Sequence, residues 1–272
     1  MKILLIGGGN MGLTYAQSFL RSHITTKQGM MILTRSAEKA AELAARDIGQ
    51  TYFEAKDCLR NADIVILAVK PQDSAALFEQ IRPFIEKQQV FLSIMAGVTI
   101  QTICEALGVT KVVRAMPNLP AQTGSGMTAY TASDEVTRIE LVMVQNLLNT
   151  TGKAIYVQKE TAIDAATAIS GSGPAYVYYF MQAMTDAARQ LGFSTAEAEL
   201  LVAQTFSGAL DLYNSSNFSC DDWIRRVASR GGTTEAALRF FETNNLQTHI
   251  VGGAKAAFER AVALGKKEDS IF

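Results

Sequence analysis

The sequence contains few of the residues that build disulfide scaffolds and metal centres. Its three cysteines, Cys58, Cys104 and Cys220, stand far apart without a CxxC pair, and its only histidines are His23 and His249. An odd number of isolated cysteines argues against a disulfide framework and is typical of a reducing compartment. We therefore expect a cytoplasmic protein that holds no metal ion.

The sequence also lacks a large net charge and a long apolar run. Its 25 basic and 26 acidic residues give a formal net charge of −1, so no general attraction draws it to nucleic acid or to an anionic membrane. The apolar run at the N-terminus stops at Ile6, which is too short for a signal peptide or a membrane span. The predicted partners therefore include neither nucleic acid nor a membrane.

Residues 1–158 alternate short apolar runs with amphipathic segments. The run Ala62–Val69 is apolar without alternation, as in a strand that helices cover on both faces. Other predicted strands are Ile3–Ile6, Met30–Leu33, Val90–Met95, Lys111–Ala115, Gly126–Tyr130 and Ala154–Val157. Predicted helices between them include Gly12–Arg21, Ser36–Arg46, Thr99–Leu107 and Glu135–Leu148, and Ser36 is the expected N-cap of the second of these. This order predicts an α/β fold in which an N-terminal Rossmann domain contains a doubly wound, mainly parallel sheet.

Beyond about residue 160 the strand pattern disappears. The remaining segments have helical periodicity, and they are Ala162–Leu191, Ser194–Tyr213, Asp221–Ala228, Thr234–Thr243 and Leu246–Ala263. They predict an all-α C-terminal domain over residues 159–272. These alanine-rich helices carry more apolar surface than one small domain would bury, which favours a homodimer.

A GxGxxG motif follows the first predicted strand directly, with glycines at Gly7, Gly9 and Gly12. The first glycine permits the tight turn, the second lets the backbone approach a pyrophosphate, and the third allows close packing of helix on strand. Asn10 and Met11 complete the turn. The motif is otherwise compatible with a plain tight turn, but its place in a βαβ unit favours a dinucleotide bound at the helix start.

The end of the second strand indicates which dinucleotide is bound. NAD-binding proteins commonly place an acidic residue here for the ribose diol, whereas this chain has Thr34, Arg35 and Ser36. Arg35 is suited to a 2′-phosphate, and Ser36 can add a hydrogen bond. The alternative is an ordinary surface arginine at a helix start. The sequence favours NADPH and leaves NADH possible.

Motifs spread over nearly the whole chain, in order, resemble those of the pyrroline-5-carboxylate reductase family. The GGTT segment distinguishes this family from other Rossmann reductases. The motifs are GGGNMG, TRS, AVKP at Ala68–Pro71, SIMAG at Ser93–Gly97, RAMPNLPA at Arg114–Ala121, SGSGPAY at Ser170–Tyr176 and SRGGTTEAAL at Ser229–Leu238.

The resemblance implies an enzyme that transfers a hydride from NAD(P)H to the C5 imine carbon of 1-pyrroline-5-carboxylate and so makes L-proline. It also implies a homodimer, or a ring of dimers. Besides the glycine turn, Arg35 and Ser36, further cofactor-binding residues are expected after two other strands. They are Ala68, Val69, Lys70, Pro71, Ala96 and Gly97.

The same resemblance places the substrate carboxylate on the SRGGTT loop, at Ser229, Gly231, Gly232, Thr233 and Thr234. Loop N–H groups and the dipole of the following helix suit an anion. Thr234 is the catalytic candidate, as a hydroxyl near the ring nitrogen. The alternative from local chemistry alone is a helix-capping turn.

Three residues depart from the family pattern or put fine contacts in doubt: Arg226, Ala228 and Arg230. They keep open a divergent or non-catalytic dinucleotide-binding relative with a regulatory role. A second alternative, a relative of the 3-hydroxyacid dehydrogenases, requires a catalytic lysine on a second-domain helix. Lys159 precedes those helices and Lys255 lies far downstream, which argues against it.

Overall fold

The apolar runs form one eight-stranded sheet in a computed structural model that describes residues 1–268. Its strands are β1 (Ile3–Ile6), β2 (Met30–Leu33), β3 (Gln50–Tyr52), β4 (Ile64–Leu67), β5 (Val90–Ser93), β6 (Val112–Met116), β7 (Gly126–Ala132) and β8 (Gly152–Tyr156). Their order across the sheet is β3-β2-β1-β4-β5-β6-β7-β8. Only the β6–β7 pair is antiparallel, so the predicted doubly wound, mainly parallel sheet is confirmed.

Helices connect the strands and make up the region after β8. They are α1 (Asn10–Arg21), α2 (Ala37–Ala44), α3 (Ser74–Ile81), α4 (Ile100–Leu107), α5 (Arg138–Asn149), α6 (Thr161–Ala166), α7 (Gly173–Gln190), α8 (Thr195–Asn214), α9 (Cys220–Val227), α10 (Thr233–Thr243) and α11 (Leu246–Glu268). No described helix combines the length and apolarity needed to cross a membrane. The predicted all-helical C-terminal region is confirmed.

Burial on both faces explains why the central strands are apolar without alternation. In β1, Ile3 and Leu5 point into one hydrophobic cluster of the core, whereas Leu4 and Ile6 point into another. All four residues are at most 2% exposed. Because helices cover both faces of the sheet, the side chains on either face of the strand are buried, and every position in it is apolar.

Two sequence predictions need correction. The edge strand β3 was missed, because its three residues, QTY, are half-exposed and partly polar. The single helix predicted over Ala162–Leu191 is wrong, because a π-helical turn, Thr167–Gly171, separates α6 from α7. In that turn the N–H of Ser172 reaches back five residues to the carbonyl of Thr167.

The chain divides into two compact units. The first comprises residues 1–172 together with the part of α11 that begins at Ala257, and the second comprises residues 173–256. The segment between 159 and 172 belongs to the first unit, where α6 packs against β6 and β7. The functional boundary between residues 158 and 159 stays a prediction, and residues 269–272 of the predicted C-terminal domain lie outside the described part.

Candidate active site

Four strand ends bring the predicted cofactor residues to one edge of the sheet. Ile6 pairs in register with both Leu33 and Leu67, and Leu67 pairs with Ser93. The carboxyl ends of β1, β2, β4 and β5 are therefore level, and β1 lies between β2 and β4, where the chain order reverses. Open α/β sheets bind ligands at such a switch point. The segments that follow these ends are Gly7–Gly12, Arg35–Ser36, Ala68–Pro71 and Ala96–Gly97.

The glycine turn after β1 is fixed by close backbone contacts. Gly7 has φ +113°, and a Cβ there would lie 2.6 Å from the carbonyl oxygen of Ala68. A Cβ on Gly12 would lie 2.9 Å from the carbonyl oxygen of Gly7, so the third glycine does allow close helix packing. By contrast, nothing lies within 4 Å of a Cβ on Gly9. The turn is packed on its inner side and open at the position predicted to face a pyrophosphate.

The start of α1 offers unpaired N–H donors. Gly9, its N-cap residue, has extended backbone and no side chain to cap the helix. The N–H groups of Asn10, Met11 and Gly12 have no hydrogen-bond partner within residues 1–268. Asn10 is exposed, whereas Met11 packs partly against the core. Free first-turn donors and the helix dipole together favour a bound anion.

After β2, Thr34 and Ser36 stabilise the turn and the helix start, whereas the side chain of Arg35 is exposed. The hydroxyl of Ser36 accepts the N–H of Lys39 and caps α2, as expected. Thr34 donates its hydroxyl to the carbonyl oxygen of Ser36 at 3.0 Å, which shapes the bend between them. Arg35 is exposed and forms no ion pair with any described residue. Its guanidinium is thus available for an anionic group.

The two remaining segments differ in accessibility. Lys70 is exposed at the end of β4, and Pro71 begins the short 3₁₀ turn before α3. Gly97 is buried with φ +80°, and its Cβ position lies 3.4 Å from the backbone nitrogen of Gly265 in α11. The end of α11 therefore covers Gly97, and a cofactor contact there stays a prediction.

In the second unit, the SRGGTT loop leads into α10 without a side-chain cap. The N-cap residue is Gly232, and the N–H groups of Thr233, Thr234 and Glu235 are without a hydrogen-bond partner in the described chain. The N–H of Gly232 is used internally, because it donates to the carbonyl of Ser229 at 3.0 Å. This arrangement repeats the open start of α1.

Five other helices have a side-chain cap at their start, whereas α3 and α6, like α1 and α10, have none. A side chain caps α2 and α4, and α5, α8 and α9 each have a complete capping box, formed by Thr137, Ser194 and Ser219 with the acidic residue three positions later. Such caps satisfy first-turn donors within the protein. Gly9 and Gly232 leave those donors for another group.

Arg226, one of the residues that depart from the family pattern, packs against an aromatic pair. Its guanidinium carbon lies 3.9 Å from the centre of the Phe218 ring, which packs edge-on against Trp223. This cation–π contact occupies the side chain. Arg230, in the loop itself, is exposed.

Comparisons with known proteins agree along the whole chain. A family model described as pyrroline-5-carboxylate reductase dimerisation matches residues 160–264, and one described as NADP oxidoreductase coenzyme F420-dependent matches residues 2–97. Pyrroline-5-carboxylate reductase 2 of Bacillus subtilis is 36% identical over 252 residues, which cover 92% of this chain and 90% of that protein. The chain belongs to the pyrroline-5-carboxylate reductase family.

Solved structures support the same family. A pyrroline-5-carboxylate reductase from Coxiella burnetii has a TM-score of 0.89 and 32% identity, covering 97% of this chain and 98% of its own. The Plasmodium falciparum enzyme with NADP bound has a TM-score of 0.86 and 28% identity, with the same coverage. The family and the NADP-type oxidoreductase domain expected from the motifs are confirmed, and the match of residues 160–264 to the dimerisation model supports formation of an oligomer.

The structure contains a buried cluster of ion-paired side chains that the sequence does not predict. Arg114 on β6 is 2% exposed and donates to Glu160 at 3.0 Å and to Asp164 at 2.9 Å. The same Glu160 oxygen accepts the N–H of Ile100 at the start of α4. The cluster therefore ties α6 to the sheet. No local pattern identifies it, because the partners lie far apart in sequence.

Asn118, in the RAMPNLPA motif, uses both ends of its side-chain amide to connect two segments of the first unit. Its Nδ2 donates to the carbonyl of Ser170 at 3.0 Å, and its Oδ1 accepts the N–H of Met127 at 2.8 Å. A Cβ on Gly171 would lie 3.1 Å from the side-chain end of Met116. The MPNLP loop thus holds the π turn of the SGSGPAY motif at the carboxyl end of β6.

Proposed function

We propose that this chain reduces 1-pyrroline-5-carboxylate to L-proline, with NADPH preferred over NADH. The supporting observation is the pair of glycine-capped helix starts, at Gly9 and Gly232, which leave N–H donors free in a chain of this family. One donor set suits the pyrophosphate of a dinucleotide, and the other suits the carboxylate of a small substrate.

The first unit is proposed to hold the cofactor. The N–H groups at the start of α1 would bind the pyrophosphate, with Gly7, Gly9 and Gly12 shaping the turn. Arg35 would pair with the 2′-phosphate, since no acidic residue stands at the end of β2. Ser36, the segment Ala68–Pro71, and Ala96 with Gly97 would line the remaining surface. When bound, NADPH supplies the hydride for the C5 imine carbon.

The second unit is proposed to hold the substrate carboxylate. Thr233 and Thr234 would donate their N–H groups, and Ser229 and Thr233 would add hydroxyls. Thr234 is proposed to hold its hydroxyl near the ring nitrogen. In the overall reaction the imine nitrogen takes up one proton from water, one hydride from NADPH forms the C5–H bond, and the electron pair of the C=N π bond becomes the lone pair of the amine nitrogen. Binding and orientation of a small ring supply much of the rate acceleration, so no histidine base is needed.

The assembly is proposed to be a homodimer, with a ring of dimers as the larger alternative. Large apolar side chains on the second unit are exposed in the single chain, among them Tyr179 (78%), Leu200 (70%) and Phe240 (67%). Exposed apolar side chains of this size and number are typical of a chain that buries them in a permanent interface. Light scattering at micromolar protein distinguishes a monomer, which would contradict the proposal, from a dimer and from a larger ring.

A reducing, cytoplasmic location is proposed because Cys58, Cys104 and Cys220 form no disulfide. Fractionation of source cells tests this point.

The deciding experiment follows NADPH oxidation with 1-pyrroline-5-carboxylate and identifies proline as the product, with NADH run in parallel. Thr234→Ala should lower kcat/KM by about 100-fold or more if its hydroxyl assists the reaction. Thr243→Ala is the matched control, because this threonine lies at the far end of α10 and bonds only to the carbonyl of Arg239. Tight NADPH binding without turnover would instead favour the regulatory, non-catalytic relative.

A further inference from the structure

One carboxylate of the chain already occupies the SRGGTT loop. Glu235, the third residue of α10, accepts the N–H of Gly231 through Oε2 at 2.6 Å. Gly231 has φ +73°, a backbone conformation that aims this N–H towards the helix start. The contact lies inside the loop that the proposed function assigns to the substrate carboxylate.

This contact differs from the capping boxes elsewhere in the chain. At α5, α8 and α9 the acidic residue three positions into the helix accepts both the N–H and the hydroxyl of a Ser or Thr N-cap. At α10 the N-cap residue is Gly232, which has no hydroxyl and whose N–H is bound to Ser229. Glu235 therefore reaches one residue further back, and the contact is a single hydrogen bond.

We infer that Glu235 is a substitute for the substrate carboxylate that sets the affinity of the loop for its ligand. This inference rests on the proposed function. The donors of Gly231, Thr233 and Thr234 belong to one short segment, so a second carboxylate must either displace Glu235 or bind beside its negative charge. Both routes weaken binding, because like charges at close range repel. The same competition favours release of the product, which carries the same carboxylate.

Glu235→Gln tests whether the Glu235 carboxylate weakens or strengthens substrate binding. The amide has nearly the same shape as the carboxylate but no charge. The KM for 1-pyrroline-5-carboxylate should fall by about 3- to 10-fold, the range set by one charge-assisted hydrogen bond. The KM for NADPH should not change. If Glu235 were only a helix cap, the loop would loosen and the substrate KM would rise. An unchanged or higher KM therefore overturns the inference.

Glu242→Gln is the matched control, because it makes the same charge change on the exposed surface near the other end of α10. It should leave both KM values as in the wild type.

A binding measurement separates failure of this inference from failure of the proposed function. With ¹⁵N-glycine labelling, the amide signal of Gly231 is followed as L-proline is added to the wild type and to Glu235→Gln. The signal should shift in both proteins, at a lower L-proline concentration in the variant. If L-proline does not shift the Gly231 signal in either protein, the inference is overturned, whether or not the enzyme turns over. Absence of wild-type turnover, with the signal responding, overturns only the proposed reaction.

Discussion

The two helix starts that leave their donors free are built on different physical constraints. At α1, Gly7 and Gly12 are pressed against backbone and core atoms, with Cβ positions 2.6 and 2.9 Å from carbonyl oxygens. At α10, nothing lies within 4 Å of a Cβ on Gly231, and Gly232 approaches only Ser229. The first turn is fixed by packing, whereas the second is held mainly by hydrogen bonds within its own loop.

The two proposed anion sites therefore differ in how they acquire their geometry. A turn enclosed by β1 and β4 has its geometry before any ligand arrives, which reduces the cost of ordering it on binding. An exposed loop lacks that support, and here the N–H of Gly231 is held by Glu235. Substitutions should therefore act mainly through steric clash at the first site and mainly through charge and hydrogen bonding at the second.

Among substitutions that test this difference, the largest effect is expected for Gly7→Ala. An alanine at this position must adopt φ +113°, and its Cβ meets the backbone of Ala68, which cannot rotate away. Strain of this kind costs about 1–3 kcal/mol before the clash is counted. We expect the Kd for NADPH to rise by about 100-fold, equivalent to roughly 2.7 kcal/mol, as measured by isothermal titration calorimetry.

Gly108→Ala is the control for backbone strain alone. This glycine ends α4 with φ +70° and has nothing within 4 Å of its Cβ position. It should lower the free energy of unfolding by about 1 kcal/mol without changing the Kd for NADPH. Wild-type NADPH affinity in Gly7→Ala would contradict the idea of a turn fixed by packing.

A smaller effect is expected for Gly232→Ala. Its φ of −85° suits alanine. A Cβ there would lie 2.5 Å from the Ser229 hydroxyl oxygen, which can rotate, and 3.0 Å from the Ser229 carbonyl oxygen, which has to shift slightly. The substrate KM should rise by about fivefold, the equivalent of roughly 1 kcal/mol, while the Kd for NADPH stays the same.

The double variant Ser229→Ala/Gly232→Ala sharpens this test. If the effect of Gly232→Ala acts through the serine hydroxyl, the double variant should have the KM of Ser229→Ala alone. If the increases in KM of the two single variants instead add in the double variant, the methyl group itself blocks the loop.

The local structure of the first helix start could be predicted from sequence because its determinants are local. The strands Ile3–Ile6 and Met30–Leu33 were predicted with their observed bounds, since burial on both faces makes each one a continuous apolar run. The glycine motif then follows directly. Ser36 was likewise predicted as an N-cap from its position before a helical segment, and its hydroxyl does accept the N–H of Lys39.

What the sequence could not predict depends on contacts between distant residues. The antiparallel pairing of β6 with β7 leaves no pattern in either strand. The π turn at Thr167–Gly171 looks helical in sequence, and its link to the sheet runs through Asn118, 52 positions from Ser170. Similarly, Glu235 appears as an ordinary first-turn acid, and only the left-handed Gly231 reveals which N–H it binds.

The smallest effect is expected for Arg226→Gln, at one of the positions where the sequence departs from the family pattern. Because the guanidinium lies over Phe218, the substitution removes an exposed cation–π contact worth about 0.5–1 kcal/mol to the stability of α9. The substrate KM should change by less than about twofold, since no contact links Arg226 to the loop donors in the described chain. A larger gain in kcat/KM would mean that this arginine restrains catalysis. The comparison between the two sites would then have to include α9 as part of the second, and the divergence of this chain from its family would be functional rather than structural.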